Sequence, residues 1–192
     1  SPGNQTMSRL SIFPERSDAA RPLSPLPLLV SNDPAIIRSE LDRRGIRFDQ
    51  WPTPLHLSPG AGDAEILAAY GTAITRVQQE SGCRIVDTMR ITPEHPEREA
   101  RRKQFLAEHR HDNDEVRFFV EGQGLFCFHI DQEVLLTLCE HGDLISIPAG
   151  TRHWFDMGPR PAFCVLRFFR DNEGWVPHYT GDPIAARFPG LD

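Results

Sequence analysis

Three side chains that bind transition metals occur within one short segment of the chain, at His109, His111 and Glu115. Successive side chains of a β-strand point to opposite faces, so His109 and His111 project from the same face. Glu115 has the same parity and joins them if the strand, or a bulged continuation of it, keeps its register. Neutral imidazole and carboxylate are ligands of Fe, Ni, Mn and Zn. The segment therefore predicts a metal site, although a lone His-x-His pair is more often a pair of surface residues.

A fourth candidate ligand, His153, follows the turn formed by Pro148, Ala149 and Gly150. The turn presents His153 at the start of a further strand, where it could complete the set. Four protein ligands on an octahedral metal leave two open positions, which suit a substrate that binds through two oxygens. Structural zinc sites are instead closed and tetrahedral, and usually contain cysteines. The set therefore favours catalysis, with a three-histidine zinc enzyme as the alternative, and the order of metal affinities does not identify the metal.

Two arginines are candidates for contact with a bound substrate. Arg117 follows Glu115 by two residues and shares its face, so it could point into the interior beside the metal. Arg167 lies inside the apolar run 165–169. Strand alternation allows Arg167 to be exposed, but an inward-facing guanidinium needs an anionic partner. An enolate or carboxylate substrate would provide one.

The composition excludes several classes of partner. A net charge of −6 argues against binding to nucleic acid or to an anionic membrane surface. No apolar stretch approaches the roughly 20 residues of a membrane helix. The four cysteines contain no Cys-x2-Cys pair, and three of them lie in apolar strand-like runs. We therefore expect buried, reduced thiols and a cytoplasmic protein.

The first half of the chain combines extended segments with helices that could support the site. Residues 1–6 precede Met7 and are expected to be a non-native extension. We predict strands at 7–13, 46–51 and 83–91 and an extended arm at 22–30. A helix begins at the sequence Asn32-Asp33-Pro34, presents an apolar stripe of Ile36, Ile37 and Leu41, and ends at Gly45. We predict a second helix over 64–80, capped by Asp63 and closed by Gly82, and a short charged helix over 94–104.

From residue 105 onward the hydrophobic pattern changes to a period of two. We predict short strands, separated by turn-forming residues, at 105–111, 115–121, 124–130, 134–139, 143–147, 153–157 and 163–170. Evenly spaced short strands indicate an all-β barrel or sandwich, of which the jelly roll is one example. Residues 172–192 form an arm whose Trp175 we expect to fold back onto the barrel, because so large an apolar side chain is costly to leave wet.

The spacing of the candidate ligands resembles that of a known superfamily. His109-x-His111-x3-Glu115-x6-Gly122 resembles the first cupin motif, and Gly142-x5-Pro148-x-Gly150-x2-His153 resembles the second. Lys103 and Met157 stand where these motifs usually have Gly and Asn, and neither position supplies a ligand. The resemblance implies a mainly β protein with N-terminal helices, folded as a cupin jelly-roll β-barrel. It implies one cupin domain over 7–192, with an N-terminal arm and helices (7–104), a barrel carrying the metal motifs (105–170) and a C-terminal arm (171–192).

Longer segments resemble one family within that superfamily. Residues 108–124 and 142–156 are similar to acireductone dioxygenases, as are the segments 167–169 and 175–177, and the resemblance covers residues 83–180 well. It implies that the metal ligands are His109, His111, Glu115 and His153. It implies that Arg117 and Arg167 face the substrate and that Phe105, Phe155 and Trp175 line or close its pocket.

The resemblance also implies a reaction. The substrate is an acireductone, an enediol beside a ketone with a methylthio tail, which arises in methionine salvage and reacts with O2. One Fe(II) or Ni(II) ion per chain is implied, and we expect a monomer. The iron form would yield 4-methylthio-2-oxobutanoate and formate, and the nickel form 3-methylthiopropanoate, formate and carbon monoxide. The alternatives are a cupin-fold sugar isomerase, which would use the ligands without O2, and a non-catalytic cupin that only binds a ligand.

Overall fold

Strands supply most of the ordered structure in this computed structural model, which describes residues 8–15, 26–53 and 57–192. The described strands are β1 (Arg9–Pro14), β2 (Leu29–Ser31), β3 (Arg47–Gln50), β4 (Ile85–Ile91), β5 (His109–Arg110), β6 (Glu115–Ile130), β7 (Glu133–Glu140), β8 (Asp143–Ile147), β9 (Arg152–Asp156), β10 (Phe163–Phe169) and β11 (His178–Tyr179). The helices are α1 (Pro34–Asp42), α2 (Asp63–Ala69), α3 (Gly71–Ser81) and α4 (Arg98–Leu106), with a 3-10 helix at Pro183–Arg187. The expected extension at 1–6, the predicted strand start at Met7 and residues 22–25 of the predicted arm lie outside the described residues.

The strands pair antiparallel in two groups that share β6. One group has the order β11-β5-β9-β6-β7-β1-β2, and the other has the order β4-β10-β6-β8-β3. This arrangement fits a jelly roll and confirms the predicted mainly β cupin fold with helices in the N-terminal half. Within the described residues the pairing does not close into a complete ring, because β2, β3, β4 and β11 each pair with one strand only.

Strand β6 replaces two strands that the sequence analysis separated by a turn at Gly122. Opposite β10, the register of β6 shifts between Phe119 and Glu121, which leaves one extra residue in β6. Inward-facing positions therefore change from odd numbers, such as Phe119, to even numbers, such as Phe126. Gly122 follows this bulge with φ +70°, a conformation that glycine adopts without strain. The glycine bends the strand rather than ending it, so the predicted turn was wrong.

The predicted helix over 64–80 is two helices. The backbone leaves helical geometry at Tyr70, whose ring is buried and packs 6.0 Å from that of Phe118. Each helix then places its own apolar residues, Ile66 of α2 and Ile74 of α3, against the same cluster beneath the sheet. The N-cap is Gly62 and not Asp63, whose carboxylate accepts a hydrogen bond from the Thr88 hydroxyl instead.

Helices α1 and α4 can be compared with the helices predicted from the sequence. Asp33 caps α1 by accepting a hydrogen bond from the Ala35 N–H at 2.9 Å, as its sequence predicts. Ile37 and Leu41 of this helix are buried, whereas Ile36 is 40% exposed and does not belong to the buried stripe. Helix α4 begins later and ends later than the predicted 94–104 helix. The predicted strand over 105–111 therefore shrinks to the two residues of β5, and Phe105 is helical.

Apolar side chains form three clusters around this framework. The largest lies between the two groups of strands and includes Phe119, Phe128 and Phe155. A second joins α2 and α3 to one outer face, and a third joins the C-terminal 3-10 helix to the opposite face. Helices α2 and α3 and the 3-10 helix thus cover the outside, whereas Ile37 and Leu41 of α1 pack into the largest cluster. Within the described residues, no helix combines the length and the apolar character needed to cross a bilayer.

Candidate metal centre

The four predicted ligands converge on one point inside the jelly roll. His109 of β5 pairs directly with His153 of β9, and His111 and Glu115 stand between β5 and the start of β6. One ring nitrogen from each of the three histidines lies within 4.8 Å of the others. The four side chains are buried, with no residue more than 8% exposed. We call His109, His111, Glu115 and His153 the histidine–glutamate cluster.

The carboxylate of Glu115 contacts both a histidine and an arginine. Its Oε1 lies 2.7 Å from His111 Nε2, and its Oε2 lies 3.2 Å from Arg117 Nη2 and 3.8 Å from His153 Nε2. Although His111 is close, Oε1 is buried and receives no hydrogen bond of acceptable angle from any described residue. A buried acceptor without a proper donor is costly. A shared cation between Glu115 and the histidines would satisfy this oxygen.

Backbone carbonyls select the tautomer of all three histidines. The Nδ1 of His109 lies 2.7 Å from Ala107 O, that of His111 lies 3.1 Å from Val176 O, and that of His153 lies 2.8 Å from Thr151 O. A carbonyl oxygen only accepts hydrogen bonds, so each Nδ1 carries the hydrogen and donates it. Each Nε2 keeps its lone pair. Metal-binding histidines are oriented in the same way in proteins.

The local electrostatics keep His109, His153 and Glu115 in the protonation state that a metal requires. Burial, and then the neighbouring imidazole of His153, lowers the pKa of His109 to about 4. Burial likewise lowers the pKa of His153. Burial alone would raise the pKa of Glu115, but the positive charge of Arg117 is the main effect that opposes it, and the pKa falls to about 2. At neutral pH His109 and His153 are therefore neutral and Glu115 is a carboxylate.

The cluster forms one wall of a cavity of about 240 Å³. All nine residues singled out by sequence reach this cavity, namely His109, His111, Glu115, His153, Arg117, Arg167, Phe105, Phe155 and Trp175. Phe105 and Phe155 stand edge to face with their ring centroids 6.4 Å apart. Trp175 lies against the cavity, as expected of a segment that folds back onto the barrel, but it remains 59% exposed.

The two arginines line the cavity from neighbouring strands. Arg117 is buried, and burial lowers its pKa, although a guanidinium stays protonated at neutral pH. Arg167 makes two hydrogen bonds to Asp87, from Nε at 2.8 Å and from Nη2 at 2.7 Å. The sequence analysis expected a substrate to be the anionic partner of Arg167, whereas the protein supplies one itself.

Sequence reasoning missed several residues of the cavity wall. Met89, Arg101, Gln104, Phe126, Val165, Pro177 and Tyr179 also line it. Most come from α4, β4 or the C-terminal segment, outside the two motifs that carry the ligands. Phe126 could have been placed on the inner face once the parity change in β6 was known. In the structure its ring centroid lies 4.7 Å from that of Phe155.

A second group of metal-binding side chains, Glu108, His129 and Asp182, lies near the cluster. Here every close nitrogen and oxygen has a protein partner. The His129 ring lies 2.6 Å from Glu108 Oε2 and 2.9 Å from Glu15 Oε1, and Thr180 donates to Glu108 Oε1 at 2.7 Å. The group is a buried hydrogen-bond network and differs in this respect from the histidine–glutamate cluster.

Comparisons with known proteins all match one family. A family model described as "ARD/ARD' family" matches residues 31–177. A protein named acireductone dioxygenase from Parasynechococcus marenigrum (strain WH8102) is 61% identical over 97% of this chain and 100% of its own length. One of the same name from Pseudomonas paraeruginosa (strain DSM 24068 / PA7) is 46% identical over 97% of this chain and 99% of its own.

A solved structure shares the fold. It is described as "Acireductone dioxygenase from Bacillus anthracis with cadmium ion in active center", and it superposes with a TM-score of 0.75 at 27% identity. The match covers 90% of this chain and 98% of that one. The similarity thus extends through nearly the whole of both chains and is not confined to the metal motifs.

Proposed function

This chain belongs to the acireductone dioxygenase family, and we propose that the histidine–glutamate cluster holds the one Fe(II) or Ni(II) ion with which the enzyme cleaves its substrate. The enzyme is a dioxygenase of methionine salvage. The proposal concerns which residues perform the reaction, which metal they hold and which products each metal gives.

The observation that carries the proposal is the shared tautomer of the three histidines. Three carbonyls fix three Nδ1–H groups, so three Nε2 lone pairs converge beside a carboxylate oxygen that lacks a hydrogen bond. Three imidazoles and one carboxylate can hold either Fe(II) or Ni(II). When bound, such an ion supplies a Lewis acid that holds the enediolate oxygens and brings the substrate and O2 together.

The protein side chains stabilise the charge of the substrate. An acireductone bound as its enediolate is anionic, and Arg117 and Arg167 place two guanidinium groups on the cavity wall. Their attraction to the substrate is strong because Arg117 is buried away from water. Phe105 and Phe155 contribute to the apolar part of the wall, which fits a methylthio tail, and Trp175 stands at the wall with much of its surface exposed.

The choice of metal is proposed to select the products. The amino-acid sequence is the same in the iron and the nickel forms. Any difference in the products must therefore arise from how the same cavity holds the substrate around each ion. We expect 4-methylthio-2-oxobutanoate and formate from the iron form. We expect 3-methylthiopropanoate, formate and carbon monoxide from the nickel form.

The test is to strip the protein of metal, reload separate samples with Fe(II) and Ni(II), and supply acireductone under air. Headspace gas, organic acids and O2 uptake are measured against metal-free protein. Carbon monoxide should appear with nickel only. Identical products from both forms would contradict metal selection, and no O2 uptake above the uncatalysed rate with either ion would favour a sugar isomerase or a binding protein.

The cellular setting is also part of the proposal. All four cysteines are buried and free, as expected for a protein kept in a reducing compartment, and this supports a cytoplasmic location. The proposed partners are the acireductone and O2, with no nucleic acid or membrane. A monomeric state stays a prediction, to be checked by the molar mass in solution.

A further inference from the structure

Asp87 lies in one row with the two cavity arginines, although it is absent from the cavity wall. Across three adjacent strands, Asp87 of β4 pairs with Arg167 of β10, which pairs with Arg117 of β6. Directly opposite residues in a sheet share a face, so the three side chains point the same way. The row carries one negative charge followed by two positive charges, and Glu115 contacts its far end.

The contact between Asp87 and Arg167 fixes the plane of the guanidinium. Two parallel hydrogen bonds, at 2.8 and 2.7 Å, hold Nε and Nη2 against the two carboxylate oxygens. Such a fork restricts rotation far more than a single contact does. It leaves Nη1 of Arg167 without a hydrogen-bond partner among the described residues, on a side chain that lines the cavity.

Asp87 also balances a repulsion between the two arginines. Their guanidinium carbons lie 5.0 Å (Arg117) and 5.5 Å (Arg167) from the centre of the same Phe169 ring. Two like charges over one ring repel each other, and an unrestrained Arg167 would swing away toward solvent, to which 23% of its side chain is open.

We propose that Asp87 is a positioning residue for the reaction, which holds the Arg167 guanidinium at the cavity wall so that its free Nη1 group faces the acireductone. This rests on the proposed role of Arg167 in binding the substrate. Asp87 itself touches neither the cavity nor the histidine–glutamate cluster, so its whole effect on turnover passes through Arg167.

The test is a double-mutant cycle with Asp87→Asn and Arg167→Met in the metal-loaded enzyme. Asparagine keeps the size but cannot accept both hydrogen bonds, so kcat/KM should fall about tenfold. In the Arg167→Met background the same change should alter kcat/KM less than about twofold, since nothing remains to be positioned. Metal content should stay at that of the unchanged protein in every variant.

Two further variants separate positioning from a structural effect. Asp87→Glu keeps the carboxylate and should recover part of the activity lost in Asp87→Asn. Glu121→Gln is the matched control, because Glu121 pairs with Arg90 at 3.1 Å in the same sheet but does not line the cavity. It should leave kcat/KM unchanged. Asp87 is 44% exposed, so the melting temperature should move little in either Asp87 variant.

The outcomes distinguish failure of this inference from failure of the proposed function. Impaired Arg167→Met together with a fully active Asp87→Asn would overturn the positioning role alone. An equal loss from Asp87→Asn in both backgrounds would also overturn it, since the effect would then bypass Arg167. Normal kinetics for Arg167→Met would overturn the proposed role of Arg167 and the inference with it.

Discussion

The carbonyl oxygens of Ala107, Thr151 and Val176 determine which nitrogen of each histidine faces the centre of the cluster. Ala107 and Thr151 each precede their histidine by two residues, so these two contacts are built into the local chain. Val176 lies 65 positions from His111 and brings the C-terminal segment to the site. The exposed segment near Trp175 thereby takes part in orienting a buried ligand.

At the residue scale we predict that Arg117→Met lowers kcat/KM by roughly tenfold to a hundredfold. A charge-assisted contact in a buried site contributes about 1.5–3 kcal/mol, and methionine keeps an unbranched apolar side chain but lacks the guanidinium and its charge. Bound metal should remain near one ion per chain, because the four ligands are unchanged. Steady-state kinetics and elemental analysis of the same preparation check both statements.

The control for this change is Arg44→Met. Arg44 has a side chain that is 15% exposed, against 10% for Arg117, and it pairs with Glu133 at 3.0 Å outside the cavity wall. Its kcat/KM should stay within about twofold of the unchanged enzyme, given the low value of such pairs. Equal losses in both variants would mean that Arg117 acts on stability, and unchanged kinetics in Arg117→Met would remove it from the substrate site.

The resemblance to the cupin motifs predicted that His109, His111 and His153 lie together, and the structure brings them together. Asp87 could not be found in this way. It lies on a strand distant in sequence from both motifs, and only the pairing of β4 with β10 places it beside Arg167. Likewise, the 2.6 Å contact that buries Glu108 and His129 joins residues 21 positions apart, and local sequence does not reveal it.

At the element scale, β6 joins the two halves of the site. Before its bulge it carries Glu115 and Arg117, and after the bulge it carries Phe126 of the cavity wall. A Cβ placed on Gly122 would lie 1.9 Å from Ala162 O, and one on Gly124 would lie 2.3 Å from the Phe155 ring. Both glycines therefore permit close approaches that set the shape of the cavity.

We predict that Gly122→Ala destabilises the protein by about 2–5 kcal/mol. The cost combines a left-handed backbone, at φ +70°, with a collision against the backbone carbonyl of Ala162. Urea unfolding followed by circular dichroism measures it. Gly45→Ala is the matched control, because Gly45 has φ +82° but nothing within 4 Å of its added Cβ, and should cost about 1 kcal/mol.

If both alanine variants lost the same stability, the strained backbone alone would explain the effect and the close packing of β6 on Ala162 would be wrong.

The sequence located these elements better than it located their ends. It merged α2 with α3 because the apolar spacing continues through Tyr70, and it divided β6 because glycine usually ends a strand. In both cases packing within the fold outweighed the secondary structure that the local sequence favours.

At the scale of the whole molecule, the fold class was predictable because short alternating strands separated by turns dominate the second half of the chain. The contributions of β1, β3 and β4 to the same sheets were less evident, since they lie among helices in the first half. Their pairing with β7, β8 and β10 supports our proposal that residues 7–192 form one domain. The histidine–glutamate cluster lies inside this arrangement, and its residues come from β5, the segment between β5 and β6, the start of β6, and β9.

The most direct test of the account is to locate the metal in crystals of the nickel-loaded protein, from anomalous scattering at the nickel edge. We predict one peak per chain, within coordination distance of the Nε2 atoms of His109, His111 and His153 and of a carboxylate oxygen of Glu115. A principal peak at Glu108, His129 and Asp182, or bound nickel without contact to Glu115, would contradict the account.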